Sequence, residues 1–315
     1  MNAIPPSTLG SRLRLGTSAL LAALVLLAET PAETADLRPS AAPIVGDDLR
    51  IPEVFTSHLP QTLPSGDLRI SVHPHLGDFT NRDYLRLTTG LRYGLTSKWE
   101  ASITTESYLS HGIGDVGLFT QVGLSTLALG TKYNLDGRPF PNWDSAVGFD
   151  FATPVSRPPA ELTDGLRHFS PYFTSSRRLD SNPNIRLFWG LGVDFVQHTD
   201  RPRDLHKNQL DDHATELTAG AVWDRQSLHY TFEAAWASTR LFGHTRDDTL
   251  TLRPGVIWEV PWFRGRKSGR IVLLGGALRA SFGPDGTGFG AGAKLRINFD
   301  PKRHVRSEPP PVTVP

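Results

Sequence analysis

Leu228-His229-Tyr230-Thr231-Phe232-Glu233-Ala234-Ala235-Trp236 sets Leu, Tyr, Phe, Ala and Trp on one parity and His, Thr, Glu and Ala on the other. Successive side chains of a strand point to opposite faces, so a period of two marks a strand with one apolar and one polar side. Segments of the same grammar recur from about Gly66 to Phe299, joined by connectors that run alternately short and long. They predict twelve strands, near 66–76, 83–95, 98–109, 121–133, 143–153, 168–179, 184–196, 213–224, 227–239, 248–260, 269–281 and 287–299. A soluble sandwich would alternate in the same way, so a second signal has to separate the two architectures.

The N-terminus supplies it. Arg12 and Arg14 precede an apolar run from Leu15 to Ala28 (LGTSALLAALVLLA), and Thr30-Pro31-Ala32 and Thr34-Ala35 offer small residues for cleavage. The run falls short of the roughly 20 residues that a spanning helix needs, so residues 1–32 read as a secretory signal rather than an anchor. The chain has no cysteine, which excludes a lipoprotein anchor, disulfides and thiolate-bound metal. With 33 basic and 32 acidic residues there is no electrostatic case for nucleic acid. Mean hydropathy lies slightly below zero, which is ordinary for a barrel in which only alternate strand residues meet lipid.

The expected organisation is a signal peptide at 1–32, a polar, Pro-rich periplasmic lead-in at 33–65, a barrel at 66–299 and a Pro-rich periplasmic tail at 300–315. With both ends periplasmic, the turns at 96–98, 180–183 and 224–227 lie inside, and the long polar connectors 154–167 and 197–212 lie outside. Trp99, Trp143, Trp223, Trp258 and Trp262 then gather at the inner rim with Tyr93, Tyr133 and Tyr230, as an aromatic girdle would. Leu295, Ile297 and Phe299 have the outward parity of a terminal barrel-assembly signal.

Charged residues fall on the polar parity. Arg69, Arg86, Arg92, Glu100, Glu106, Asp194, Glu216, Glu233, Arg253, Glu259, Arg279, Lys294 and Arg296 are therefore the candidate pore-lining residues, along with Asp150 and Arg186. A turn at 96–98 sets Arg92 opposite Ser102 and diagonal to Glu100, and Glu106 beside Thr88 with Arg86 diagonal. Arg69, Arg279, Lys294 and Arg296 form a basic wall across the seam, facing Asp194, Glu216, Glu233 and Glu259. Opposed walls put a transverse field across a narrow pore, which favours zwitterionic or dipolar solutes. The alternative is an ion ladder that fills a closed interior.

Catalytic motifs are poor. His73-Pro74-His75 has no fixed acidic partner, and the connector from His198 to His213 carries three histidines and four aspartates in what reads as a solvated loop. Gly283-Pro284-Asp285-Gly286 is a turn, and Gly112-Ile113-Gly114-Asp115 precedes a strand rather than a helix.

Leu63-Pro64-Ser65-Gly66, Leu91-Arg92-Tyr93-Gly94-Leu95-Thr96-Ser97-Lys98-Trp99-Glu100 and His111-Gly112-Ile113-Gly114-Asp115-Val116 together resemble the outer-membrane proteins named after the meta-pathway of phenol degradation. The resemblance covers about 63–135 and implies a single barrel that passes small hydrophobic or aromatic compounds. It carries over no site residues. The lumen charges and the tail after Phe299 depart from it.

The expectation is an all-β, transmembrane, antiparallel up-and-down barrel of about twelve strands, of the bacterial outer-membrane type, with ten or fourteen as alternatives. Its expected role is passive passage of small solutes, not enzymatic, with no cofactor and no nucleic-acid partner. Expected partners are outer-membrane lipid, the barrel-assembly machinery and the solute. A structural or adhesive barrel with a filled lumen and a lipid-modifying barrel enzyme are the competing readings, and a soluble periplasmic sandwich is the fourth.

Overall fold

The computed structural model describes residues 54–76, 84–112, 115–159, 162–201, 212–242, 248–261 and 271–299. The signal at 1–32, the tail at 300–315, Trp262 and the middle of the histidine-bearing connector lie outside the described residues.

Twelve strands follow the alternation: β1 (Leu68–Leu76), β2 (Tyr84–Gly94), β3 (Trp99–Ser110), β4 (Val122–Asn134), β5 (Asp144–Pro154), β6 (Leu166–Arg178), β7 (Ile185–His198), β8 (Ala214–Arg225), β9 (Leu228–Ser238), β10 (Asp248–Glu259), β11 (Ile271–Gly283) and β12 (Gly286–Phe299). Every boundary lies within two residues of its predicted place. Each strand pairs antiparallel with its chain neighbours, and β1 pairs with β12, so one sheet closes on itself with no free edge. This closure excludes the two-sheet sandwich. It is the architecture of outer-membrane barrels.

The two parities separate as the sequence requires. Leu91, Ile103, Leu129, Phe149, Leu191, Phe232, Leu274 and Leu278 stand exposed on the outer surface, while Glu100, Lys132, Arg186, Glu233, Lys294 and Arg296 are buried inside. β4 breaks the alternation at one point. The register shifts between Glu106 and Ser107 of β3, leaving Ser125 as an extra residue whose Oγ donates to the Glu106 carbonyl at 3.2 Å. This bulge swaps the outward parity, so Leu127 and Leu129 are followed outward by Leu124 and Val122.

The rim that holds both barrel ends carries the tight hairpins. In the 95–98 turn the Thr96 hydroxyl accepts the Lys98 and Trp99 amides at 3.2 and 3.1 Å, which is why Thr opens it. Outward-facing Trp99, Tyr133, Tyr93, Trp223 and Tyr230 are exposed at this rim, Trp223 and Tyr230 with ring centroids 5.6 Å apart. Trp143 and Trp258 stand beside them, half-buried. The asymmetry of connector length is incomplete, because 135–143 and 260–270 at this rim are long. The Pro284-Asp285 turn at the far rim has two residues.

The lead-in expected outside the barrel at 33–65 differs in its described part. Residues 54–64 run inside the barrel before the chain enters β1. Their apolar side chains give the reason: Val54, Phe55, Leu59 and Leu63 are buried to 3% exposure or less. A turn at Pro64–Asp67 then swings the chain into the wall, with the Asp67 amide donating to the Pro64 carbonyl at 3.0 Å. Gly66 takes φ 84° as the third residue of that turn, a position that favours glycine.

Candidate functional site

The lumen is occupied at the short-turn end by residues 54–64, which touch the wall from β2 round to β12. Val54, Phe55 and Leu59 pack on Phe188 of β7, Val222 of β8, Ile257 of β10 and Leu273 of β11. These four are apolar residues on the polar parity, so the wall departs from its own alternation where the segment needs a greasy seat. Gly255 of β10 makes room for Phe55, since a Cβ there would lie 2.4 Å from its ring.

The segment's backbone is held by buried ions. Glu233 of β9 accepts the Phe55 amide at 2.6 Å and the Thr56 hydroxyl at 3.1 Å, and pairs with Arg253 of β10 at 3.0 Å. Lys294 of β12 donates to the Phe55 carbonyl at 3.0 Å, and Arg296 donates to that of Val54. On the opposite wall the Thr174 hydroxyl of β6 donates to the His58 carbonyl at 2.7 Å. His58 itself stacks on Tyr172, centroids 4.3 Å apart, and meets Asp150 of β5 at 3.0 Å. Lys132 of β4 donates to the carbonyls of Leu59 and Gln61 at 2.9 and 2.7 Å and pairs with Glu100 at 3.1 Å. Glu100 also takes Arg92 at 3.0 Å and the Leu63 amide at 3.0 Å. Without such donors and acceptors, irregular backbone inside a barrel would carry unsatisfied polar groups.

Two cavities lie beside the segment and share Thr56 as a border. The first, about 370 Å³, is lined by Arg92, Arg253, Arg279 and Lys294, with Ser71, His73, Thr88 and Thr104. The second, about 260 Å³, is lined by Asp150, Asp194 and Glu216, with His58, Ser170 and Tyr172. No carboxylate lines the first among the described residues, and no Arg or Lys lines the second. The two cavity linings therefore differ in sign, but with different members from those the sequence predicts. Glu233, expected on the acidic wall, holds the segment and Arg253. Glu259 is buried at the end of β10, and Arg69 and Arg296 are buried near the short-turn rim. Arg69 donates to Asn298 at 2.5 Å across the β1–β12 seam. Arg92 pairs across the β2–β3 hairpin in the expected register, opposite Ser102 and diagonal to Glu100, and Arg86 lies 3.7 Å from Glu106.

The far end narrows too. In the 155–165 connector Leu162 is buried, and Asp164 reaches His168 of β6 at 2.9 Å. The other ring nitrogen of His168 meets Asp194 of β7 at 2.7 Å, and Ser170 donates to Asp194 at 2.7 Å. Burial pushes the Asp164 carboxyl up, but its hydrogen bonds to His168 and to the Leu166 amide outweigh this and hold it below the usual carboxylate value.

Sequence reasoning misses Lys132, His58, Tyr172 and the whole of 54–64. The available signal is weak: Phe188, Val222, Ile257 and Leu273 are apolar residues on a parity otherwise polar. Two of the three stretches that carry the resemblance, 63–66 and 91–100, prove to be neighbours in space, since the Gly66 amide donates to the Gly94 carbonyl at 2.7 Å.

No family model matches the chain, and no curated protein matches it. Among solved structures it is similar to an outer membrane channel from Pseudomonas putida F1, with TM-score 0.49 and 11% identity, covering 76% of this chain and 97% of that one. It is similar to the NanC porin, with TM-score 0.44 and 8% identity, covering 74% of this chain and 99% of that one. It is also similar to the CymD monoaromatic hydrocarbon channel, with TM-score 0.37 and 9% identity, covering 76% and 89%. These likenesses concern the fold.

Proposed function

We propose that this chain is a bacterial outer-membrane channel for passive passage of small solutes, closed at its short-turn end by residues 54–64. An apolar exterior around a closed sheet suits lipid, because every strand edge is paired and the charges face inward. The observation that carries the reading is the pair of oppositely charged cavities inside the wall, bordering one non-strand segment that is held by side-chain ions. A wall built only to be filled has no need of roughly 630 Å³ of unfilled space with charged side chains turned into it (the two cavities together). The outer-membrane lipid, the assembly machinery and the solute remain the partners this reading requires. The resemblance at 63–135 favours small hydrophobic or aromatic solutes, while the lumen charges favour polar ones.

One observation favours a second reading. The segment's burial is also what a sealed structural barrel would have, and that barrel would never conduct. Planar-bilayer recording of the refolded full chain separates the two, with the heat-induced gel shift as folding control. Discrete conductance steps are expected, and Glu233→Gln, which turns an acceptor of the Phe55 and Thr56 amides into a partial donor, should raise their frequency several-fold. Folded protein silent in both forms would refute the channel.

A further inference from the structure

We propose that the larger, basic cavity binds a small organic carboxylate; this deepens the channel reading, and rests on it for the solute's route to the site. Four cationic side chains line the space, Arg92, Arg253, Arg279 and Lys294. Among the described residues, Glu100 stands behind Arg92 at 3.0 Å and Glu233 behind Arg253 at 3.0 Å. Glu100 also balances Lys132 at 3.1 Å, so its charge is divided between two cations. Among the described residues the lining itself carries these cations and no carboxylate, and the low-dielectric wall of a barrel concentrates their field on whatever occupies the space. An anion entering from the other side of Thr56 would leave the repulsive field of Asp150, Asp194 and Glu216 for this attractive one.

The lining also distinguishes an organic anion from an inorganic one. A volume of about 370 Å³ is many times that of a single halide and lies within the range of small-molecule sites, roughly 300–1,000 Å³. Guanidinium forks match the two coplanar oxygens of a carboxylate, whereas a spherical ion gains nothing from their planarity. Ser71, Thr88 and Thr104 add hydroxyl donors on the β1–β3 side, and Phe55 and Ala277 offer apolar surface for a ring or methylene body. Charge at one end and carbon at the other is the chemistry that such a lining recognises.

Lys294 and Arg253 serve two masters here. Lys294 donates to the Phe55 carbonyl, and Arg253 reaches both Glu233 and Thr56. A bound carboxylate therefore draws on two of the same cations that hold the segment, which ties occupancy of the cavity to the strength of the closure.

The test is calorimetric titration of the refolded full chain in detergent with benzoate, and with benzyl alcohol as its uncharged counterpart. Benzoate should bind, benzyl alcohol should bind at least about tenfold more weakly, and Arg279→Gln should weaken benzoate by a similar factor. Arg279 is chosen because Glu233, Arg253, Lys294 and Arg296 grip the segment on this side of the barrel. Equal affinity for the two probes, or affinity indifferent to Arg279, overturns the site. If Arg279→Gln loses its gel shift, the comparison of probes on the unaltered chain still decides. Binding without bilayer conductance would sink the channel and leave the site standing. Conductance without benzoate binding would do the reverse.

Discussion

Asp164 contributes stability through its ionised form, because its folded carboxyl titrates below the ordinary aspartate value of 3.8. The contribution is fully present above that pH and is lost as pH falls below it through the folded value. Asp164→Asn should therefore unfold in urea at a lower midpoint than the parent by a constant margin between about pH 4 and 6, where both Asp164 and its histidine partner are charged, and the margin should shrink in stronger acid. A margin that widened toward acid would contradict the bond to His168. At this scale the sequence is readable where a tight turn fixes register. The 96–98 turn alone sets Arg92 beside Glu100, and the ion pair follows. Lys132 is not readable, because two of its partners are the carbonyls of Leu59 and Gln61, and backbone groups leave no trace in residue type. His58 is hidden for a similar reason: its stacking on Tyr172 joins a stretch with no periodicity to a strand far along the chain.

At the scale of elements, the strands announce themselves by period two and by their turn residues, which is why their limits fall where the alternation places them. β4 reads less cleanly because the extra Ser125 reverses its parity midway. Residues 54–64 follow no repeat, since their partners are spread over strands all round the wall, and Pro60 and Pro64 resemble those of a linker. Their docking rests on fit, most plainly at Gly255. Gly255→Val places a branched side chain where Phe55 sits, since its Cβ alone would come within 2.4 Å of that ring, while valine itself suits a strand. The expected outcome is a barrel that keeps its heat-induced gel shift but conducts more often, and becomes open to protease near residue 55. A variant as silent and as resistant as the parent would show that Phe55 is not seated by that gap.

For the whole molecule, the decisive property is inversion: apolar residues outside, ions inside. Leu129 lies on the outer face of β4, 48% exposed in the bare chain. Leu129→Arg should cost about 2–4 kcal/mol in a bilayer if that position lies near its midplane. Refolding yield into vesicles, read by the gel shift, should drop sharply, whereas Thr126→Arg on the inward face should be tolerated far better. Equal yields would count against a lipid-facing exterior. The inversion is legible from charge parity alone, while the division of the interior into two chambers is not, because it depends on what crosses between the walls.

Val54 and Lys294 are 240 residues apart in the chain, and they meet because β12 lies against β1. Contacts of such separation form late, since the entropy of closing so long a loop is lost before any bond rewards it. The cations that grip the start of the segment, Lys294 and Arg296, arrive with the last strand made. A half-built wall can therefore hold Leu63 against Glu100, Leu59 against Lys132 and the Phe55 amide against Glu233, but the Val54 and Phe55 carbonyls stay unclamped until β12 arrives. Sealing is thus the final event of assembly rather than an early one, and a tightly shut interior certifies that the seam has zipped.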